Sequence, residues 1–244
     1  MTTTKRASNH KLLALLLGLL LTALLLCALA PRAYAEIASG TLDTCSWVID
    51  DDGNLVISPT NGAYGEISTR KTRSPWSPNG GKIKTISFEK DVVIVGQGLN
   101  LMFSDLYNVQ KIDFTNCSFR NVTSTEMMFS GDAALTEVIG LNNLDTSQVT
   151  TMYRMFYDCP SLEEIDLSNL NTSNVKNMSQ MFAPKYGTSN LKKLDLSTWD
   201  VSSVTNMQGM LMYGKEASNR KQEIDRQHYT IPNQRPKDKH CGKI

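Results

Sequence analysis

One pattern recurs along the chain and restricts its fold more than any other feature. LDTSQVTTMYRMF (144–156), LNTSNVKNMSQMF (170–182) and WDVSSVTNMQGML (199–211) align without gaps, and CSFRNVTSTEMMF (117–129) is a degraded copy. Their shared valine falls at Val122, Val149, Val175 and Val204, in steps of 27, 26 and 29 residues. A second pattern, L-x-x-L-x-L, keeps time with the first. Its copies are IKTISF (83–88), VQKIDF (109–114), LTEVIG (135–140), LEEIDL (162–167) and LKKLDL (191–196). These start 26, 26, 27 and 29 residues apart, so both patterns obey one period. The added residues fall near Ile139–Gly140 and in APKYGTSN (183–190). Such a period marks small structural units that cannot bury an apolar side alone and must stack.

Each unit reads as two pieces. The last two apolar residues of L-x-x-L-x-L are two apart, as on one face of a strand. In NVKNMSQMF, Val175, Met178, Met181 and Phe182 take offsets 0, 3, 6 and 7. That spacing predicts a short helix with one apolar face. Asp145, Asn171 and Asp200, or Ser147, Ser173 and Ser202, stand where an N-cap would. The expected fold is an α+β solenoid of about five 26–29-residue units, with short parallel strands on one side and helices on the other. Ten of the eleven methionines fall between 102 and 212, in register with Val and Phe, which makes them core filling.

The flanks differ from the repeats. Residues 1–35 read as a signal peptide: Lys5, Arg6 and Lys11 precede LLALLLGLLLTALLLCALA, and AYA precedes an expected cleavage between Ala35 and Glu36. If uncleaved, the same apolar run is long enough to anchor the chain in a bilayer. Residues 36–81 read as a β-rich capping module. Within it, CSWVIDDDGNLVIS (45–58) alternates about a DDGN turn, the mark of a hairpin. Trp76 reads as a packed loop anchor. Residues 82–213 hold the repeats, and the basic, polar 214–244 is expected to be disordered. A flexible tail and a truncated longer surface protein are both compatible with that ending.

Charge and chemistry narrow the function. The segment 36–213 carries 13 basic against 20 acidic residues, which disfavours nucleic acid as a partner. The three histidines are His10, His228 and His240, so none lies in 36–213 to build a His-dependent nucleophilic site. No CxxC occurs, and the spacing calls for no metal and no cofactor. Cys45, Cys117, Cys159 and Cys241 are too sparse for a disulfide framework, and Cys117 and Cys159 read as small core residues. Asp113, Asp166 and Asp195 recur at one strand position and read as a solvated face, with a secreted carbohydrate-active enzyme as a remote alternative.

The outward strand positions are the expected partner surface. They are Thr85 and Ser87 in the first unit, Lys111 and Asp113 in the second, and Glu137 and Ile139 in the third. Glu164 and Asp166, then Lys193 and Asp195, complete it. The mixed charge suits a protein more than a polyanion.

TSNVKNMSQMF and FYDCPSLEEIDLSNL resemble the BspA-like leucine-rich-repeat surface proteins, including the repeat named for mycoplasma lipoproteins. The resemblance covers about 82–213. TCSWVIDDDGNLVIS and SPWSP also resemble the short module that precedes such repeats in secreted bacterial proteins. It implies a leucine-rich-repeat solenoid outside a bacterial cell, non-enzymatic, used for adhesion or protein binding. The implied partner is an extracellular host protein or a cell-wall glycan. No catalytic position carries over. A structural spacer is the other reading.

Overall fold

The computed structural model describes residues 35–68, 72–185 and 189–211. Apart from Ala35, the predicted signal segment lies outside these residues, as does the predicted tail. The chain begins with an antiparallel meander of β1 (Glu36–Leu42), β2 (Cys45–Asp50) and β3 (Asn54–Pro59). Cys45, Trp47 and Ile49 alternate inward on β2, as do Leu55 and Ile57 on β3. The turn between them is held by the Asp50 carboxylate, whose Oδ1 accepts the Asp52 and Asn54 amides at 3.1 and 2.8 Å. The predicted hairpin therefore forms in place.

After β4 (Gly65–Ile67) and a single 3-10 turn at Ser77–Asn79, the units begin. They contribute β5 (Thr85–Phe88), β6 (Val92–Val95), β7 (Lys111–Asp113), β8 (Cys117–Arg120) and β9 (Glu137–Ile139). Sheet one runs β1-β2-β3-β5-β7-β9, antiparallel in its first three strands and parallel from β3 onward. Leu55, Ile86, Ile112 and Val138 are in register across it. Sheet two is β4-β6-β8, wholly parallel. A third line of parallel bridges joins Ser124, Thr151, Asn177 and Asn206.

The α+β leucine-rich-repeat solenoid expected from the sequence is not what forms. Among the described residues there is no α-helix, and the fold is sheet and turn. The segments read as helices give their amides sideways. Thr150, Lys176 and Thr205 donate to the carbonyls of Thr123, Thr150 and Lys176, one unit back. Met152 and Met178 donate to Asn177 and Asn206, one unit on. A helix would need those protons for carbonyls four residues back. Met127, Arg154 and Gln180 also have φ of 51°, 52° and 55°, a left-handed state that no right-handed helix admits. Met127 and Arg154 are each the third residue of a turn closed by the following methionine, Met128 N–H to Thr125 O and Met155 N–H to Met152 O, both at 3.2 Å. The expected N-caps start turns instead: Asp145, Asn171 and Asp200 accept the Ser147, Ser173 and Ser202 amides at 2.9, 3.1 and 2.9 Å.

The residues predicted to point inward do so. Val149, Met152, Met155 and Phe156 are buried, with their counterparts Val175, Met178, Met181 and Phe182. The phenylalanines stack one unit on the next: Phe103 to Phe129 at 5.9 Å, Phe129 to Phe156 at 5.0 Å, and Phe156 to Phe182 at 5.6 Å. Each such pair adds about 0.5–1.5 kcal/mol beyond area burial. Trp76 is buried, with its indole N–H on Met102 O at 3.2 Å and its ring edge-on to Trp47, so it anchors its loop. Cys45, Cys117 and Cys159 are buried free thiols. Burial pushes Cys45 up to about 11 and Cys117 to about 12, so both stay protonated.

One buried polar group has an electrostatic cost. Asp132 is fully buried; its Oδ1 accepts the Leu106 amide at 2.9 Å, and its Oδ2 has no partner among the described residues. Desolvation, reinforced by Asp105, holds its carboxyl well above the usual range. The folded state thus keeps a proton that the unfolded state releases near pH 3.9. The stability from this group is complete below that pH and is lost as pH rises through the folded value. Asp132→Asn keeps the amide acceptor and cannot ionise. The variant should melt higher than the parent at neutral pH, with the gap closing toward pH 4 in thermal denaturation.

Candidate functional site

The ten outward strand positions all reach the surface. Thr85, Ser87, Lys111, Asp113 and Ile139 are half-buried, and Glu137, Glu164, Asp166, Lys193 and Asp195 are exposed. Sheet one sets Thr85, Lys111 and Glu137 in one register column and Ser87, Asp113 and Ile139 in the next. Glu164 and Lys193 face each other through an isolated parallel bridge. The first column is already linked: Lys111 Nζ lies 3.3 Å from Glu137 Oε2. The meander extends it. Thr85 Oγ1 donates to Asn54 Oδ1 at 2.7 Å, and Asn54 Nδ2 donates to Asp50 Oδ2 at 2.8 Å. Asp50 and Asn54 therefore belong to this surface, although the repeat pattern gives no hint of them.

The recurring aspartates have a structural task. Asp113, Asp166 and Asp195 accept the amides of Thr115, Ser168 and Ser197 at 2.9, 3.0 and 2.9 Å. Hydrogen bonds from Thr115, Ser168 and Ser197 hold their carboxyls below the usual range. Each fixes the turn that follows it, after strand β7 for Asp113 and after the Glu164–Lys193 bridge positions for Asp166 and Asp195. Ile139 has no such group, and there Gly140 makes the bend with φ 77°. A Cβ on Gly140 would lie 2.9 Å from Phe114 C and Thr115 N, so no larger residue fits. The extra residue of this unit is taken up in the 3-10 turn Leu141–Asn143. Asp166 and Asp195 are both held ionised. A glycosidase pair instead needs one carboxyl raised to act as the acid.

A second polar surface escaped the sequence reading. On the wall of the Met-Phe turns, Gln97, Asn100, Thr123, Glu126 and Thr150 line a groove of about 400 Å³. A cation–π cluster lies farther along, with Arg154 Cζ 5.0 and 4.5 Å from the ring centroids of Tyr153 and Tyr157. Among the described residues, no group of three or more His, Cys, Asp or Glu could hold a metal ion. Nor is any helix there long and apolar enough to cross a membrane.

The structure defines an all-β protein whose parallel strands lie side by side at the spacing of one unit, with an open polar face on sheet one. The chain belongs to the family described as "Mycoplasma protein of unknown function, DUF285", which matches residues 97–227. No curated protein and no solved structure matches it.

The turn role of the aspartates makes a direct prediction. Asp166→Asn should leave the thermal midpoint nearly unchanged, because Asn171 makes the same turn with an amide oxygen. Asp166→Ala should lower it by a few degrees, as expected for one lost hydrogen bond at a surface turn.

Proposed function

We propose that this chain is a secreted or surface-displayed bacterial protein of the BspA-like kind, which binds an extracellular protein and catalyses no reaction. The supporting observation is the outward column of sheet one. Thr85, Lys111 and Glu137 stand in strand register, and Glu164 and Lys193 are paired by a bridge in later units. Neighbouring strands are about 4.8 Å apart, so the paired positions present charges of both signs at a fixed spacing. Its backbone is held by the ladder, which lowers the entropy lost on docking. Mixed signs on this face complement a protein surface of opposite pattern and give specificity and orientation. The family membership of residues 97–227 agrees with the BspA-like resemblance without defining a partner.

A remote alternative is a secreted carbohydrate-active enzyme. The ionised state of both Asp166 and Asp195 weighs against it. Export rests on the apolar segment before Ala35, which lies outside the described residues.

The test uses the full chain against a solid-phase panel of host extracellular-matrix proteins. The double reversal Glu164→Lys with Lys193→Glu should weaken binding of the authentic partner by roughly tenfold, with an unchanged melting curve. Full binding by the reversed variant would remove the sheet-one column from the interface.

A further inference from the structure

We infer that Tyr153, Arg154 and Tyr157 form a second binding site, on the turn wall, for a single carboxylate presented by a segment of a partner protein. The inference uses none of the sheet-one positions. It starts from what the ladder does and does not require of its side chains. Four successive units read NLMFS (100–104), EMMFS (126–130), YRMFY (153–157) and SQMFA (179–183). Their backbones follow one course. Leu101, Met127, Arg154 and Gln180 have φ of 54°, 51°, 52° and 55°. Each donates its amide to the next unit, to the carbonyls of Glu126, Tyr153, Ser179 and Gln208. The fold is therefore built equally well with Leu, Met or Gln in place of Arg154. It is built with Ser or Ala in place of Tyr157, and with Asn, Glu or Ser in place of Tyr153. Two tyrosines and an arginine in one unit answer no need of the ladder.

These three side chains are held together and still open to a ligand. Arg154 Cζ lies 5.0 Å from the ring centroid of Tyr153 and 4.5 Å from that of Tyr157. Its Nε donates to Gln180 Oε1 at 2.7 Å, from the next unit. Two rings and one amide thus fix the guanidinium before any ligand arrives. Among the described residues, Arg154 takes no part in a salt bridge, and no acceptor bonds its terminal nitrogens. All three residues are half-buried, so the charge reaches the surface between aromatic walls.

The free edge of the guanidinium sets the ligand chemistry. Its two terminal nitrogens carry coplanar N–H donors that match both oxygens of a carboxylate. An arginine already immobilised loses little entropy on docking. Tyrosine and arginine are also the residue types that dominate binding energy at protein interfaces. The tyrosines offer apolar edges and hydroxyls to the residues beside the carboxylate. A polyanion fits less well. Segment 36–213 carries 13 basic against 20 acidic residues, and so repels a chain of negative charges as a whole. One aspartate or glutamate in an otherwise uncharged stretch escapes that repulsion.

The test probes the full chain with two matched arrays of capped synthetic decapeptides. The peptides are uncharged except at one central residue, glutamate in one array and glutamine in the other, and heparin oligosaccharides serve as a third probe. Members of the glutamate array should bind roughly tenfold more tightly than their glutamine twins, as for charge-assisted hydrogen bonds. Arg154→Gln copies Gln180 and Tyr157→Ser copies Ser130, so both variants should keep the parent's melting temperature. Arg154→Gln should abolish the preference for glutamate, and Tyr157→Ser should weaken binding severalfold. The sheet-one variant Glu164→Lys with Lys193→Glu should bind the glutamate peptides as the parent does. The inference is overturned by binding to neither array, by equal binding to both, or by a glutamate preference that survives Arg154→Gln. Heparin binding tighter than that of any peptide, or loss of peptide binding in the sheet-one variant, would overturn it too.

Discussion

Phe129, Phe156 and Phe182 donate their amide protons to Met155, Met181 and Met210, each one unit on, at 2.9 Å. The rest of the structure depends on this sideways use of the backbone. An extended or turning segment buried on one side must still satisfy its amides and carbonyls. Here the neighbouring unit supplies the partners, so each segment is complete only beside the next. The side chains follow from that constraint. Identical backbone paths one unit apart put identical residues in contact, and the phenylalanines become a stacked column. The methionines fill the unequal gaps between them.

The same constraint separates structural from available side chains. A polar residue at a repeated position is often bonded inside its own turn, as Asp166 and Asn177 are. Its recurrence then reports geometry, and its carboxylate or amide is already engaged. The groups open to a partner stand where the pattern departs from itself or lies between turns. Lys193 and Glu164, joined by an isolated bridge, are of this kind, and so are Gln97 and Glu126 on the turn wall. The two surfaces carry different chemistry: full charges of both signs on one, amides and hydroxyls with a single carboxylate on the other.

Much of this was legible in the sequence, and the error has a physical origin. The 26-residue step located the parallel strands β5, β7 and β9, and alternation located β2 and β3. The inward positions of Val, Met and Phe followed from their register. The helix did not. Offsets of 0, 3 and 6 match a chain of three-residue turns, whereas a helix drifts by 3.6 residues per turn and favours 0, 3 or 4, and 7. The 6 at Met181 was the available sign. The left-handed residues hid the rest, since Arg154, Gln180 and Met127 are not types that advertise positive φ. Asp50 and Asn54 joined the sheet-one surface through tertiary pairing with β5, which no local pattern records.

The most direct measurement is the through-hydrogen-bond coupling between an amide nitrogen and the carbonyl carbon that accepts its proton. The account predicts coupling from Met178 N to the Asn206 carbonyl and from Lys176 N to the Thr150 carbonyl, at bonds that both measure 2.8 Å. Coupling from Met178 N to the Asn174 carbonyl, four residues back, would mean that the segment is a helix after all, and would contradict the cross-unit ladder on which the fold and both surfaces rest.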